Sequence, residues 1–304
     1  MKHYYSLNEY NLMKYGCKIY KLSISGTMTC PNRDGKLNTR GCIFCSKGGS
    51  GEFASSALLP VKEQLEQAKK KVEQKNKNGK YTAYFQPYTN TYADTAYLKK
   101  LFYEAIEPDY IVGLSVATRP DCLEDDKIML LSELNKIKPV SVELGLQTIH
   151  KSTADYIRRG YELNIYDEAV KKLKSNDIEV ITHLIISLPN ETENMIYESV
   201  KYVGERTDGI KLQLLHVLRD TDLEEEYKSG KFEVLSLEKY TDIICNCIEL
   251  LPPNVVIHRI TGDGDKKSLI APLWSGNKKH VLNYMNSEFE RRNIIQGGKF
   301  KSRA

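Results

Sequence analysis

Three closely spaced cysteines are the side chains of this chain best suited to chemistry. Cys30, Cys42 and Cys45 lie within sixteen residues, whereas the other four are scattered, at Cys17, Cys122, Cys245 and Cys247. The N-terminus is polar and contains no apolar leader, so we expect a cytoplasmic protein. In that compartment cysteines serve as thiols or metal ligands rather than as disulfides.

The segment that carries the three cysteines, residues 27–53, is predicted to be a loop because glycines and a proline interrupt it. Three thiolates on one loop form a soft ligand set suited to an iron–sulfur cluster or to zinc. A structural zinc site takes four ligands, and the sequence offers no further Cys-x-x-Cys motif and no nearby Cys–His pair. The number three therefore favours a four-iron cluster with one iron open to a substrate or cofactor.

Six apolar, β-branched runs have the pattern of buried strands and alternate with amphipathic segments of helical length. The predicted strands are residues 18–25, 81–86, 110–117, 139–146, 178–187 and 209–217. The predicted helices are residues 61–75, 94–106, 124–136, 164–175, 192–205 and 235–251. The strands are almost continuously apolar, as expected when both faces of a parallel sheet are covered.

This alternation predicts an α/β fold with a parallel sheet. Periodicity does not decide between an open sheet and a barrel, but both bind ligands at the carboxyl ends of their strands. The segments that follow each strand are therefore expected to carry the chemistry. Residues 254–260 form a last strand-like run, which an irregular segment and a basic tail follow.

Positive charge is concentrated at the end of the chain. Seven basic and two acidic residues give residues 275–304 a charge of +5, so the remainder carries −1 of the net +4. Such an end favours a polyanionic partner, although a solvated surface explains the charge equally well. No apolar run approaches the ~18 residues of a membrane span, so we expect no membrane partner.

The cysteine loop resembles that of the radical S-adenosylmethionine (SAM) enzymes, which have an aromatic residue before the last of three cysteines. In Cys42-Ile43-Phe44-Cys45 that residue is Phe44, which the resemblance places against the adenine. The family usually has three residues between its first two cysteines, and here eleven separate Cys30 from Cys42. A longer gap is typical of the branch that contains the catalytic subunit of Elongator, and CPNRDG at 30–35 is similar to the loop of that branch.

Three segments after predicted strands resemble the SAM-binding segments of the same family, in the same order. FQPYTNTYAD at 85–94 resembles the segment that receives the amino group, and ELGLQT at 143–148 resembles the one that contacts the ribose. IRRGY at 157–161 resembles the segment that approaches the carboxylate. The resemblance thus assigns SAM contacts to Phe44, Gln86, Thr89, Asn90, Glu143, Gln147 and Arg158.

Other segments extend the resemblance over nearly the whole chain. SVATRPD at 115–121 matches the motif after strand three, and THLIISLPNET at 182–192 resembles the motif of strand five, with Ser187 where glycine is usual. VVIHRITGDGD at 255–265 resembles the C-terminal extension of one bacterial subgroup, the YhcC-like or YtqA-like proteins. The roles of four residues near these motifs are left open: Cys122, His150, Lys151 and Tyr161.

The resemblance implies a partial (βα)6 barrel of the TIM type, with a radical SAM core at 1–251 and a short C-terminal extension at 252–304. It implies that Cys30, Cys42 and Cys45 hold a [4Fe–4S] cluster, which is reduced by a donor such as flavodoxin or ferredoxin. Reductive cleavage of SAM then generates a 5′-deoxyadenosyl radical. The branch implies a tRNA substrate, modified at the carbon-5 substituent of the wobble uridine, for example from carboxymethylaminomethyl to aminomethyl.

The basic tail is the candidate surface for that RNA. The residues expected to contact it are Lys278, Lys279, Arg291, Arg292, Lys299 and Lys301. Two other functions remain open: a radical SAM enzyme that acts on a small metabolite, and a non-catalytic metal-binding RNA module. The first would show no RNA affinity at moderate salt, and the second would bind zinc and release no 5′-deoxyadenosine.

Overall fold

Strands and helices alternate along the chain as the sequence predicts. A computed structural model of the protein describes residues 3–49, 51, 54–76, 79–262, 264 and 266–301. The strands are β1 (Tyr20–Ile24), β2 (Tyr81–Phe85), β3 (Ile111–Thr118), β4 (Val140–Gln147), β5 (Glu179–Ile186), β6 (Gly209–Leu214), β7 (Val217–Leu218), β8 (Val256–Arg259) and β9 (Leu269–Ala271). The helices are α1 (Leu7–Tyr15), α2 (Val61–Lys70), α3 (Thr95–Ile106), α4 (Asp125–Asn135), α5 (Lys151–Tyr156), α6 (Leu163–Lys174), α7 (Glu193–Gly204), α8 (Asp222–Lys228), α9 (Leu237–Leu250) and α10 (Lys278–Arg291).

Seven strands form one parallel sheet in the order β1-β2-β3-β4-β5-β6-β8. The sheet curls into a half-barrel, and within the described ranges β1 and β8 are its two edges. The predicted partial barrel is therefore confirmed. It has seven strands rather than six because β8, which belongs to the predicted C-terminal extension, pairs with β6. The division of the chain at Leu251 stays a prediction.

The sixth predicted strand is too long. β6 ends at Leu214, and β7 pairs antiparallel with β9 in a separate two-stranded ribbon, in which Val217 lies opposite Ala271. Because β7 follows β6 directly, this ribbon lies at the carboxyl end of the half-barrel. Through β9 the chain returns to this carboxyl end, which is the region in which such folds bind their ligands.

Side chains alternate along each strand between the outer face of the sheet, which is apolar and covered by the helices, and its inner face, which is polar. Outward side chains pack on the helices in one large core, where the buried rings of Phe85 in β2 and Phe102 in α3 lie 5.0 Å apart. Inward positions carry polar side chains, among them Lys21, Glu143 and Lys211. The same alternation that stabilises the fold therefore aims these side chains at one another across the half-barrel.

Helix α1, which the sequence analysis does not predict, lies at the amino ends of the strands. Its N-cap Ser6 and Glu9 form a reciprocal capping box, and Gly16 ends it with a φ of 69°. The hydroxyl of Tyr10 donates to the carboxylate of Glu179, the first residue of β5, at 3.1 Å. The N-terminal segment therefore lies at the end of the half-barrel opposite the cysteine loop.

Helix α10 also escapes prediction, and it runs along α9 from one end of the half-barrel to the other. It begins near Trp274, whose ring packs on that of Tyr240 in the first turn of α9, 5.8 Å away. Its 14 residues span about 20 Å. Beyond it, the amide of Gln296 donates to the carbonyl of His3 at 2.9 Å, so the tail ends beside the N-terminal segment. No helix in the described part of the chain is long and apolar enough to cross a membrane.

Ser187, directly after β5, has a φ of 72°, in the left-handed region that favours glycine. An L-residue there costs about 1–2 kcal/mol, part of which the greater freedom of unfolded glycine offsets. We therefore expect Ser187→Gly to raise the free energy of unfolding by up to about 1 kcal/mol in denaturant titrations. Ser229, with a φ of −81°, provides the matched control, since Ser229→Gly should lower that free energy. A decrease in both variants would contradict the prediction.

Candidate active site

The cysteine loop leaves the carboxyl end of β1 and contains two tight turns that begin at its cysteines. The amide of Arg33 donates to the carbonyl of Cys30 at 2.8 Å, and the amide of Cys45 donates to that of Cys42 at 3.0 Å. All three thiols are free and half-buried. Arg33 joins the two turns, because its guanidinium donates to the carbonyls of Cys45 at 2.8 Å and Ser46 at 2.6 Å.

Asn32 attaches the loop to the segment after α5. Its Nδ2 donates to the carbonyls of Arg158 at 2.7 Å and Arg159 at 3.2 Å, and it lies 3.5 Å from the sulfur of Cys42. A Cβ on Gly160 would lie 2.9 Å from the side-chain oxygen of Asn32, and Gly160 has a φ of 81°. Glycine is therefore required at this position both for space and for backbone conformation.

The donor set fits an iron–sulfur cluster. Burial and the neighbouring Cys45 raise the pKa of the Cys42 thiol to about 12, although Arg119 opposes the change. Iron binding replaces such a proton because the thiolate is the ligand. In the described ranges, no three His, Cys, Asp or Glu side chains are grouped to hold a single metal ion. A cluster takes its thiolates on different iron atoms, and an amide N–H directed at a ligand sulfur, as from Asn32, is a known influence on its potential.

Phe44 and two residues after β2 lie around this loop. We call the opening at the carboxyl ends of the strands the mouth. Phe44 packs there on a small apolar cluster that includes Ile43 and Ile157. The side chain of Asn90 is buried, and its Nδ2 donates to three backbone carbonyls, those of Phe85, Pro87 and Ala117. Its Oδ1 is buried without a hydrogen-bond partner among the described residues, so it is available to a bound amino group.

Thr89 and Gln86 hold the segment after β2 by their backbone amides. The amide of Thr89 donates to Thr29 in the cysteine loop at 3.2 Å, and that of Gln86 donates to Ile24 of β1 at 3.3 Å. Thr89 is only 1% exposed. These bonds bring the segment predicted to receive the SAM amino group beside the segment predicted to hold the cluster.

Gln147 and Arg158 both have left-handed backbone conformations at the mouth, with φ of 65° and 57°. The Gln147 amide lies above Gly145, 2.7 Å from where a Cβ on that glycine would stand. Arg158 pairs with Asp222 of α8, and its buried Nε has no hydrogen-bond partner among the described residues. The structure thus brings Arg158 beside the cysteine loop with one donor unused.

Tyr161 has a structural explanation. Its ring lies between two guanidinium groups, that of Arg159 at 4.5 Å and that of Arg119 at 5.2 Å, and its hydroxyl donates to the carbonyl of Gly145. Arg119, from the TRPD motif, also forms a bidentate pair with Asp121 and donates to the carbonyl of Arg159 at 2.8 Å. These contacts fix the backbone that carries Arg158.

The other residues whose roles the sequence leaves open are His150, Lys151 and Cys122. Two of them contact neighbouring groups of the chain, and the third is a buried thiol. His150 lies 2.9 Å from the carbonyl of Met195, and the exposed Lys151 pairs with Glu162 at 2.5 Å. Burial raises the pKa of the Cys122 thiol to about 12, so this cysteine is protonated at neutral pH.

Glu143 does not lie beside the cysteine loop. It lies four positions before Gln147, about 13 Å along the strand. Its carboxylate contacts the ammonium groups of Lys21 in β1 and Lys211 in β6. It also accepts hydrogen bonds from Tyr84 of β2 at 2.7 Å and Ser115 of β3 at 3.0 Å, and lies 2.7 Å from Nε2 of His183 in β5. We call these six side chains the interior charged layer: Lys21, Tyr84, Ser115, Glu143, His183 and Lys211.

The charged groups of this layer strongly shift one another's pKa values. Burial would raise the pKa of Glu143, but Lys21, Lys211 and His183 hold it well below its usual value. Burial, together with the positive Lys21 and Arg259, lowers the pKa of Lys211 to about 7 although Glu143 opposes the change. Burial and Lys211 lower the pKa of His183 to about 4. Sequence reasoning identified Glu143 but not its partners, since they are distant in the chain.

The structure does not bring the six candidate RNA-binding residues together. Lys278 and Lys279 begin α10 near the mouth, whereas the other four lie at or beyond its far end. Arg291 and Arg292 both bind Glu288, at 2.7 and 2.6 Å, and Lys299 binds Glu249 at 2.6 Å. Lys301 is exposed near the described end of the chain.

Known proteins resemble this chain along most of its length. The sequence model of the Radical SAM superfamily matches residues 29–203, and that of the Radical_SAM C-terminal domain matches residues 207–291. YtqA of Bacillus subtilis is 42% identical over 301 residues, covering 99% of this chain and 94% of its own. Protein YhcC of Escherichia coli is 35% identical, covering 87% and 85%.

The core is also similar to Elongator proteins. Elongator complex protein 3 of Schizosaccharomyces pombe is 30% identical over 180 residues, which are 57% of this chain and 32% of that protein. The solved structure of archaeal Methanocaldococcus infernus Elp3 superposes with a TM-score of 0.70 at 17% identity, covering 91% of this chain and 64% of that one. The predicted relation to the Elongator-like branch and its bacterial subgroup is confirmed.

The pairing of two arginines with Asp222 permits a matched test of SAM binding. Arg158 is partly buried beside the cysteine loop, whereas the side chain of Arg40, 2.7 Å from the same carboxylate, is 62% exposed. We expect Arg158→Ala to weaken SAM binding by about tenfold to a hundredfold, the usual value of a hydrogen bond to a charged group. Arg40→Ala should leave the affinity unchanged. Equilibrium binding to the reconstituted protein, with iron content measured in parallel, decides the matter, and equal affinities in both variants would contradict it.

Proposed function

The chain belongs to the radical SAM superfamily, and we propose that it remodels the carbon-5 substituent of the wobble uridine in tRNA, for example from carboxymethylaminomethyl to aminomethyl. Radical SAM proteins use a [4Fe–4S] cluster and SAM, which together supply a carbon-centred radical able to abstract hydrogen from an unactivated C–H bond. The observation that carries the proposal is the similarity of the core to Elongator complex protein 3. The order of motifs implied by the sequence supports the same conclusion.

In this proposal the chain's own residues bind the cluster and SAM, orient them and exclude water. Cys30, Cys42 and Cys45 hold the cluster, and Asn32 and Arg33 fix the loop around it. The free Oδ1 of Asn90 and the unused Nε of Arg158 are polar groups suited to the amino and carboxylate groups of SAM.

Phe44, Thr89, Gln86 and Gln147 complete the proposed SAM site. Phe44 offers an apolar face for the adenine, and we assign the ribose to Gln147 at the end of β4. An electron donor such as flavodoxin or ferredoxin reduces the cluster.

Basic side chains around the mouth suit a polyanionic substrate. Lys36 lies in the cysteine loop itself, and Lys266 and Lys267 precede β9, where the amide of Arg219 donates to the carbonyl of Ser268 at 2.8 Å. All four of these side chains are exposed. We place the phosphate contacts here because these side chains lie around the mouth, whereas Arg291, Arg292 and Lys299 of the tail are paired with Glu288 and Glu249.

Conversion of the nucleoside tests the proposed function directly. Protein reconstituted without oxygen, given SAM, dithionite and tRNA that carries carboxymethylaminomethyluridine, should produce aminomethyluridine, as measured by mass spectrometry of digested tRNA. Cys42→Ala should lose cluster iron and this activity, because alanine offers no soft donor. Cys17→Ala, which alters a cysteine outside the loop, should retain both. Release of 5′-deoxyadenosine with unchanged nucleosides would contradict a tRNA substrate of this kind.

Two charge-neutralised variants locate the RNA surface. The mouth variant replaces Lys36, Lys266 and Lys267 with Gln, and the tail variant replaces Arg291, Lys299 and Lys301 with Gln. Each phosphate contact contributes about −0.7 to −0.9 to the log–log salt slope of binding. We expect the mouth variant to bind tRNA more weakly with a shallower slope and the tail variant to match the wild type. The reverse result would assign the contacts to the tail.

A further inference from the structure

When Lys21 and Lys211 are both protonated, the interior charged layer carries two positive charges against the single negative charge of Glu143. Among the described residues, the ion pairs of Lys21 and Lys211 are both with Glu143, so two ammonium groups share one carboxylate. Arg259 of β8 lies opposite Lys211 in the strand register and adds positive potential there. Glu179, nearer the amino ends, pairs with Lys14. A buried cation without full compensation is unfavourable, so the layer favours an additional anion.

The half-barrel offers a path from the mouth to this layer. The next inward positions toward the carboxyl ends of β1, β3 and β4 carry small residues, Ser23, Ala117 and Gly145. The His183 side chain remains 15% exposed. Above it, Nε2 of Gln213 lies 3.3 Å from Nδ1 of His183 and continues the polar lining. A group that enters at the mouth therefore passes small residues and Gln213 before it reaches His183 and Lys211.

We propose that the interior charged layer binds the carboxylate of the carbon-5 substituent, between Lys211 and the neighbouring cations. This inference rests on the proposed function and specifies the carboxymethylated form as the substrate. Uridine itself has no carboxylate, so the substituent is the part of the nucleoside that this layer recognises. An aminomethyl group, which is positively charged, would be repelled by Lys21 and Lys211.

The layer therefore discriminates substrate from product. Loss of the carboxymethyl group removes the anion that the lysines attract, whereas the protonated amine is present in both substrate and product. SAM also carries a carboxylate, and the experiment distinguishes binding of that carboxylate from binding of the carbon-5 substituent.

Two anticodon stem-loop RNAs that differ only at the wobble position provide the test. One carries carboxymethylaminomethyluridine and the other aminomethyluridine, and the ratio of their dissociation constants is measured with cluster and SAM bound. We expect the wild type to bind the first about tenfold to a hundredfold more tightly. Lys211→Met should bring the ratio close to one, because Lys21 and Glu143 then neutralise each other. Glu143→Gln should raise the ratio, because it removes the resident anion.

Lys100→Met, on the exposed face of α3, is the control and should keep the wild-type ratio. Melting temperature and iron content verify folding, and Lys21→Met replaces Lys211→Met if the latter does not fold. An unchanged ratio in Lys211→Met, or a wild-type ratio of one, overturns the proposal. A loss of SAM affinity with an unchanged ratio assigns the layer to SAM instead and also overturns it. Failure to bind or convert either RNA refutes the proposed function along with this inference, whereas conversion with equal binding refutes the inference alone.

Discussion

One buried carboxylate connects the first six strands of the half-barrel. Glu143 of β4 contacts Lys21, Tyr84, Ser115, His183 and Lys211, one side chain from each of the other five strands. A carboxylate taken out of water is costly unless such partners replace its hydration. The curvature of the sheet supplies them, because side chains from opposite edges converge only when the sheet closes around a common interior. The fold and the interior charge therefore depend on each other.

The sequence predicted the elements much better than it predicted their polar partners. Strands such as β3 and β5 are long, apolar and β-branched, and this local pattern carries the information. The pair Lys21–Glu143 spans 122 positions, and no local pattern records such a contact. Helix α10 was missed for a different reason, because its many polar and basic residues hide the buried stripe formed by Val281, Met285 and Phe289.

In the candidate site, too, local patterns could be predicted from the sequence and contacts between distant residues could not. The spacing of Cys30, Cys42 and Cys45 and the order of the motifs could be read from the sequence, whereas the SAM contact assigned to Arg158 stays a prediction. The tie from Asn32 to the segment after α5 could not, although the close approach of Gly160 is the physical reason for a glycine there. The RNA contacts assigned to the tail stay a prediction, and what the sequence could not show is that Arg291, Arg292 and Lys299 pair with Glu288 and Glu249.

Strained backbone is concentrated where the proposed chemistry lies. Gln147, Arg158 and Ser187 have positive φ values at the carboxyl side of the half-barrel, and Tyr88, after β2, does too. Each such residue costs on the order of 1–3 kcal/mol, which the surrounding contacts must offset. The anchors are visible for Arg158, where Asn32 binds its carbonyl and Asp222 its guanidinium. The half-barrel thus has two polar levels. Residues with strained backbone lie at the mouth, where we propose that SAM binds, and the interior charged layer, centred on Glu143, lies about 13 Å below Gln147. A substrate held between them is oriented from both sides, which is what selective abstraction of one hydrogen atom requires.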